Sequence, residues 1–307
     1  MAKARTASLL DPGLTMVIPT NSRRPKPTAS TAPTHSAVVV VVPTRLSAAT
    51  LAACILSINS QSYSCDCVVV DNYSTDGTFE IARGLATHAV QIGPERSAQR
   101  NFGAQELPSE IVGFIDSDMQ LGPGVLEQVV AAIREGGDAV IVPERSVGTT
   151  FWARVKAFEK SFYAGADNVE AARFFTTRCF QQLGGFDDTL HAGEDWDLTI
   201  RARRAGYAVV RITASIIHDE GALGYLQSCR KKAAYARGLR AFARKHGASS
   251  LGQAMRRPYL ERPWLLLSQP RLGLGLILLK SGELSAVLIA FIADQRSMKR
   301  MDGGQRG

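Results

Sequence analysis

The sequence predicts an α/β protein built on a mostly parallel sheet flanked by helices. Three observations carry this reading. Val38 to Val42 is an unbroken β-branched run, the pattern of a strand buried on both faces. Strand-like and helix-like segments then alternate as far as Asp116, the βαβ order that builds a parallel sheet. The last of these strands, from Ile111, ends in Asp116-Ser117-Asp118, two acids where open α/β sheets gather their ligands, beyond the carboxyl ends of strands.

Each element follows in turn. Pro43-Thr44-Arg45 breaks the first strand, and Leu46 to Ser60 reads as a helix with Leu51, Cys54, Ile55 and Ile58 on one side. Cys67 to Val70 is a second buried strand, and the loop Asn72 to Gly77 leads into a helix from Thr78. A short strand near Ala89 to Ile92 precedes a helix from Ser97 to Ala104, and Val209 to Ile217 is again strand-like. Tyr225 to His246 is a basic helix with Leu226, Cys229, Ala233, Ala236 and Leu239 near one stripe. Leu272 to Ala293 is apolar, but Lys280, Gly282 and Glu283 interrupt it. Its clean part, Leu284 to Ala293, gives about 15 Å of helix against a hydrocarbon core of about 30 Å. It therefore reads as a poor single span, and as a helix pair packed on the domain or in a homodimer.

The 307 residues, 45% of them hydrophobic, suit one main domain with an extension. We divide them into a Ser/Thr/Pro-rich tail (1–36), a catalytic domain (37–220, its halves meeting at 118) and a helical extension (221–307). Charge is uneven: residues 37–198 carry a net −10 and residues 199–307 a net +14. A basic end beside an acidic middle suits polyphosphate substrates or an anionic membrane surface, flanked here by Arg262, Arg271, Arg296, Lys299 and Arg300. No nucleic-acid motif accompanies the charge, so nucleic acid is not an expected partner. Five cysteines, an odd number without a second metal-spaced pair, argue against a disulfide framework and a zinc site. The tail lacks the apolar core of a secretory signal. A cytoplasmic protein, either soluble or peripheral on the inner face of the cell membrane, is the expectation.

Polar residues recur at strand exits: Thr44, Asp71, Asp116 and Asp118. Acids also start turns, and for Asp76 and Gly77 that is the better account. Several exits placing acids on one sheet edge nevertheless fit a nucleotide cleft, in which a divalent cation on carboxylates meets a diphosphate. Arg96 and Arg100 share a helix face, and Arg100 is assigned to a phosphate.

The ordered set Val39-Val40-Val41-Val42-Pro43-Thr44, Val69 to Thr78, Gln99-Arg100-Asn101, Asp116-Ser117-Asp118, Gly184-Gly185-Phe186-Asp187 and Gly193 to Leu198 resembles the family 2 glycosyltransferases over roughly residues 37–220. The resemblance implies the GT-A fold, a nucleotide-diphosphate sugar donor, Mg or Mn, and inversion at the anomeric carbon. It implies donor binding by Pro43, Thr44, Arg45, Asp71, Ser74, Arg100, Asp116 and Ser117. Metal ligation falls to Asp118 with Asp116 and His218, and catalysis to Asp195 as base with Glu194 orienting the acceptor. A UDP-sugar is favoured and a GDP-sugar is the alternative. The acceptor is a hydroxyl, with lipid-linked and polysaccharide-precursor acceptors both in view. The rival readings are a metal-dependent nucleotidyltransferase and an inert donor-binding scaffold on a membrane.

Overall fold

The computed structural model describes residues 37–163, 165, 170–247 and 263–304, with side chains to residue 292. The tail assigned to 1–36, Arg262, and the side chains of Arg296, Lys299 and Arg300 lie outside the described residues. The strands are β1 Val38–Thr44, β2 Asp66–Asp71, β3 His88–Gln91, β4 Ile111–Phe114, β5 Met119–Leu121, β6 Ala139–Ile141, β7 Glu144–Val147, β8 Ala172–Thr176, β9 Val209–Arg211 and β10 Ile216–Asp219. The helices are α1 Leu51–Asn59, α2 Thr78–Leu85, α3 Arg96–Glu106, α4 Val125–Arg134, α5 Phe151–Ser161, α6 Thr177–Gln182, α7 Glu194–Arg204 and α8 Tyr225–His246. A 3-10 helix, Pro263–Ser268, and the long helix α9, Pro270–Gly304, follow.

Seven strands form the main sheet in the order β3-β2-β1-β4-β8-β6-β9. The pairs β1/β2, β1/β4, β2/β3 and β6/β9 are parallel, and β8 runs antiparallel between β4 and β6. Alternate residues of the valine run feed opposite layers, as strand geometry requires. Val38, Val40 and Val42 meet α1 and α4, while Val39 and Val41 meet the layer holding Phe114, Phe175, Phe180, Phe186 and Leu198. Because β1, β2 and β4 are parallel, Thr44, Asp71 and Asp116 leave the sheet at one edge. A smaller sheet, β5-β10-β7, stands beside it.

Three expectations change. The first helix begins at Leu51, not Leu46, because the backbone N–H groups of residues 46–48 donate to Ser74 Oγ, Thr78 Oγ1 and Asp76 Oδ2 across the next loop. The run Val209 to Ile217 is two strands in two sheets, since Thr213 and Ala214 turn their N–H groups onto Gln128 Oε1. The apolar C-terminal segment is one helix, not a pair, and Pro270–Ile292 is long and apolar enough to cross a membrane by length and composition. Lys280 and Glu283 do not break it, because both find charged partners on its inner face.

That inner face lies on α5 and α8. Leu272, Leu276 and Leu279 join Val155, Phe158 and Tyr163 in one cluster. Gly275 and Gly282 let the backbones approach, since a Cβ at either would lie 2.7 Å from Val155 or 2.0 Å from the Tyr225 hydroxyl. Lys156 bridges Glu159 at 2.9 Å and Glu283 at 3.4 Å, and Lys280 bridges Glu159 at 2.7 Å.

Gly113 sits opposite Phe174, whose ring lies 2.2 Å from where a Cβ would stand. Gly113→Ala is expected to cost about 1–3 kcal/mol by overpacking, read as a lower urea midpoint; an unchanged midpoint refutes it. Burial alone would raise the Glu159 carboxyl, but Lys156 and Lys280 outweigh it and bring it down to about 2. Its stabilisation is thus complete above its ordinary value near 4.5 and is lost as pH falls toward 2. The stability gap between wild type and Glu159→Gln should close over that window, and a gap independent of pH contradicts the assignment.

Candidate active site

Gly103 seats α3 against the sheet: a Cβ there would lie 2.5 Å from Val41. One turn earlier, Gln99 donates to the carbonyls of Thr44 (3.1 Å) and Val70 (2.6 Å), tying α3 to two strand ends. The next residue, Arg100, is fully buried beneath the strand exits. Its Nη2 donates to Asp116 Oδ1 at 2.7 Å, and its Nη1 to Asp195 Oδ1 at 2.9 Å and Glu194 Oε1 at 3.2 Å. Its guanidinium also lies 5.0 Å from the Phe186 ring. Arg100 therefore does not present itself to a phosphate. Its charge is spent on carboxylates, and this corrects the donor-phosphate assignment.

Arg173, on β8, points to the same side of the sheet as Phe175. Its Nη1 lies 3.4 Å from both Asp116 Oδ2 and Asp195 Oδ2, and its Nη2 donates to Glu144. Two arginines thus bridge the acid after β4 to the acid at the start of α7. Burial opposes ionisation of Asp116, but Arg100, Arg173 and Arg96 outweigh it and hold the carboxyl well below its usual range. Glu144 is likewise held low, against burial, by Arg173 and by His218, whose Nδ1 lies 3.7 Å from its carboxylate. Glu194, Asp195 and Asp197 occupy the first turn of α7, where a helix dipole favours anions. Asp197 is buried and binds Arg201, Lys245 and His246, fastening α7 to the end of α8.

Asp118 is half exposed, and its Oδ2 lies 3.4 Å from His218 Nε2. The pairing is topological: β10 runs antiparallel to β5 with His218 opposite Met119. Burial pushes the imidazole down, but the carboxylates of Asp118 and Glu144, 3.4 and 3.7 Å from its two nitrogens, outweigh it and lift His218 to about 9. A cation seated between this half-exposed carboxylate and the imidazole would take the place of the imidazole proton and complete its shell with diphosphate oxygens and water. Asp116, the third expected ligand, is turned onto the arginines instead. Among the described residues no group of three His, Cys, Asp or Glu side chains is gathered for a metal.

At the other strand exits, Asp71 is fully buried. It accepts from the Ser74 N–H (2.9 Å), the Ser74 hydroxyl and Gln91 Nε2 (2.9 Å). Ser117 donates to Ser47 Oγ at 2.9 Å. Thr44 is buried with its carbonyl accepting from Asn72, while Pro43 is buried and Arg45 exposed. Leu46 and Tyr73 hold positive φ values of 51° and 48° in a region rarely used by residues other than glycine. Both side chains are exposed on this edge.

Gly184 and Gly185 also have positive φ, and a Cβ on Gly185 would meet Asn101 Oδ1 at 2.5 Å. Asn101 clasps this turn through both backbone groups of Phe186, whose ring packs edge-on to Phe114 at 4.9 Å. A cleft of about 480 Å³ opens over Asp116, Glu144, Arg173, Asp195 and His218 and runs toward Lys231, Lys232 and Glu283 of α8 and α9. Glu144 escaped the sequence reading, although it follows the exit of β6 and obeys the rule that found the other acids. Nothing in the sequence neighbourhood of Arg173 assigns it a partner.

Residues 39–188 match the glycosyl transferase family 2 model. The pre-mycofactocin glycosyltransferase of Mycobacterium tuberculosis is 26% identical over 90% of this chain and 60% of its own length. The succinoglycan biosynthesis protein ExoA of Rhizobium meliloti is 30% identical over 46% of this chain and 50% of its own length. The chain thus spans 60% or less of these two relatives. Among solved structures, the mannosyltransferase PcManGT of Pyrobaculum calidifontis aligns with a TM-score of 0.51 and 18% identity, over 86% of this chain and 80% of that one. It shares the GT-A fold.

The buried bridge makes a direct prediction. Arg100→Met leaves Asp116, Glu194 and Asp195 short of a cation and should cost about 3–5 kcal/mol in urea unfolding. Arg100→Lys should recover only part, because a single ammonium cannot span both acids as a guanidinium does. A loss below about 1 kcal/mol for the methionine variant would place the bridge among weak surface pairs.

Proposed function

We propose, from the premise that residues 39–188 are a glycosyl transferase family 2 domain and the chain a family 2-like glycosyltransferase, that it moves one sugar from a nucleoside-diphosphate sugar to a hydroxyl acceptor with inversion. One observation carries the reading: Asp116 and Asp195, from different elements, share Arg100 and Arg173 at the mouth of a cleft of about 480 Å³. In a direct displacement, the acceptor oxygen bonds to the anomeric carbon as the bond to the diphosphate breaks. The electron pair leaves on the diphosphate, and the acceptor proton must go to a positioned base.

Asp195 takes that proton. Its carboxylate is a quarter exposed and held by a guanidinium on each oxygen, so its lone pairs are fixed toward the cleft. Glu194, tied to Arg100 and Arg96, steadies the helix start and the acceptor side. Asp116, kept ionised, faces the donor sugar and ribose. The strand exits at Pro43, Thr44, Arg45, Asp71, Ser74 and Ser117 form the nucleotide edge, with Asp71 shaping the loop through Ser74. Asp118 and His218 would hold Mg or Mn, which when bound supplies Lewis-acid stabilisation of the leaving diphosphate. In domain terms, residues 37–118 serve the donor and 119–220 the acceptor, with helices α8 and α9 of the extension 221–307 completing the cleft wall.

A UDP-sugar remains the favoured donor. GDP-sugars belong in the panel because PcManGT was captured with GDP-Man and Mn2+. The exposed Lys231 on the cleft wall supports an acceptor bearing an anionic group, such as a lipid phosphate or an acidic saccharide.

The test is turnover with UDP- and GDP-sugars and Mn, following release of the nucleoside diphosphate. Asp195→Asn should lower kcat by about 10²–10⁴ while leaving donor affinity within about threefold, since the substitution removes a proton acceptor and not a donor contact. Equal turnover eliminates Asp195 as base. Pyrophosphate release in place of nucleoside diphosphate would favour the nucleotidyltransferase reading.

A further inference from the structure

Helix α9 is apolar on two opposite sides. Leu272, Leu276, Leu279 and Glu283 are buried against α5 and α8. Leu274, Leu278, Leu284, Leu288 and Ile289 lie on the other side of the helical repeat and are 52–70% exposed. Trp264 and Leu267 of the preceding 3-10 helix extend the exposed surface. An outward row this long exceeds the scattered apolar residues of an ordinary surface.

We propose that this outer face lies flat on an anionic lipid bilayer, with α9 remaining clamped to the catalytic body rather than crossing the membrane. Charge complementarity selects the occupant. Leu226, Arg230, Arg237 and Arg244 of α8 are all exposed, and their spacing of 4, 7 and 7 residues puts them on one stripe. That stripe adjoins the line along which Tyr225 and Cys229 receive Gly282 of α9. Arg240 of α8 reaches Phe291 of α9, 5.2 Å from its ring, and Arg271 stands exposed at the start of α9. The net +14 of residues 199–307, against −10 for residues 37–198, orients this end of the chain toward a negative surface. An exposed tryptophan beside the patch suits the headgroup level.

The inner face argues against a span. Lys280 and Glu283, midway along the apolar stretch, are paired with Glu159 and Lys156 of α5, and Ser228 of α8 donates to Glu283 at 3.0 Å. Gly273, Gly275 and Gly282 each stand where a Cβ would collide with a neighbour. Drawing α9 into the bilayer would strand these charges in hydrocarbon and open the close contacts. Lipid contact by the outer face leaves both intact, which is the arrangement of an interfacial helix. Glu283 and Lys231 also line the cleft that holds Asp195, so docking brings the cleft beside the lipid surface. Only that last consequence rests on the glycosyl-transfer reading.

The full chain should co-sediment with phosphatidylcholine vesicles containing phosphatidylglycerol at low salt, bind vesicles lacking it weakly, and be released by alkaline carbonate. Combining Leu284→Ser, Leu288→Ser and Ile289→Ser should reduce the bound fraction at least about tenfold with thermal melting unchanged, because all three side chains are exposed. Combining Arg230→Glu, Arg237→Glu and Arg244→Glu should abolish the preference for phosphatidylglycerol. Equal sedimentation of wild type and the serine variant overturns the docking. So does a wild-type dimer that the serine variant dissolves without any lipid binding, which would make a second copy the occupant. Wild-type protein that resists carbonate extraction from its expression membranes overturns it in favour of a span. Release of nucleoside diphosphate by the serine variant on a water-soluble acceptor tests transfer separately.

Discussion

Two buried arginines set the terms for the centre of this molecule. Arg100 arrives from a helix and Arg173 from the antiparallel strand, and between them they hold Asp116, Glu144, Glu194 and Asp195. Desolvating so many charges is expensive unless each is paired, so the elements carrying them must dock in one arrangement. Phe186 beneath Arg100 and the aromatic cluster around Phe114 supply the apolar floor of that arrangement. The same bridge that fixes packing also fixes the separation between Asp116 and Asp195, the acids proposed to serve donor and acceptor.

Around this centre, side-chain to backbone hydrogen bonds hold irregular chain in place. The loop after β1 gives its N–H groups to side chains of the loop after β2, and Asp71 orders that second loop from below. Asn101 does the same for the turn at Gly184 and Gly185. Residues that resemble family motifs therefore have structural work as well as proposed chemical work. A substitution in them reports on both.

The C-terminal helices extend the logic outward. α9 is fastened by ion pairs on its inner face, where they are shielded, and by glycines that bring backbones close. The outer face is left to a different partner. One helix thus completes the wall of the cleft and carries an exposed apolar surface.

The alternation of buried strands and amphipathic helices was legible in the chain, because strand and helix periodicities are local properties. So were the acids at the strand exits, since turn and strand-end chemistry is local too. The extent of α8 was read to the residue. What the sequence could not supply was partnership. Arg100 looked like a phosphate ligand until the fold surrounded it with three carboxylates, and Arg173 and Glu144 acquired meaning only when β8 and β7 came together beside β4 and β10. Lys280 and Glu283 read as interruptions of an apolar segment, yet α5 provides their counter-ions and the helix runs through them. Periodicity is written in neighbouring residues, whereas the sign and strength of a buried charge depend on groups from distant parts of the chain. Only the tertiary structure brings those together.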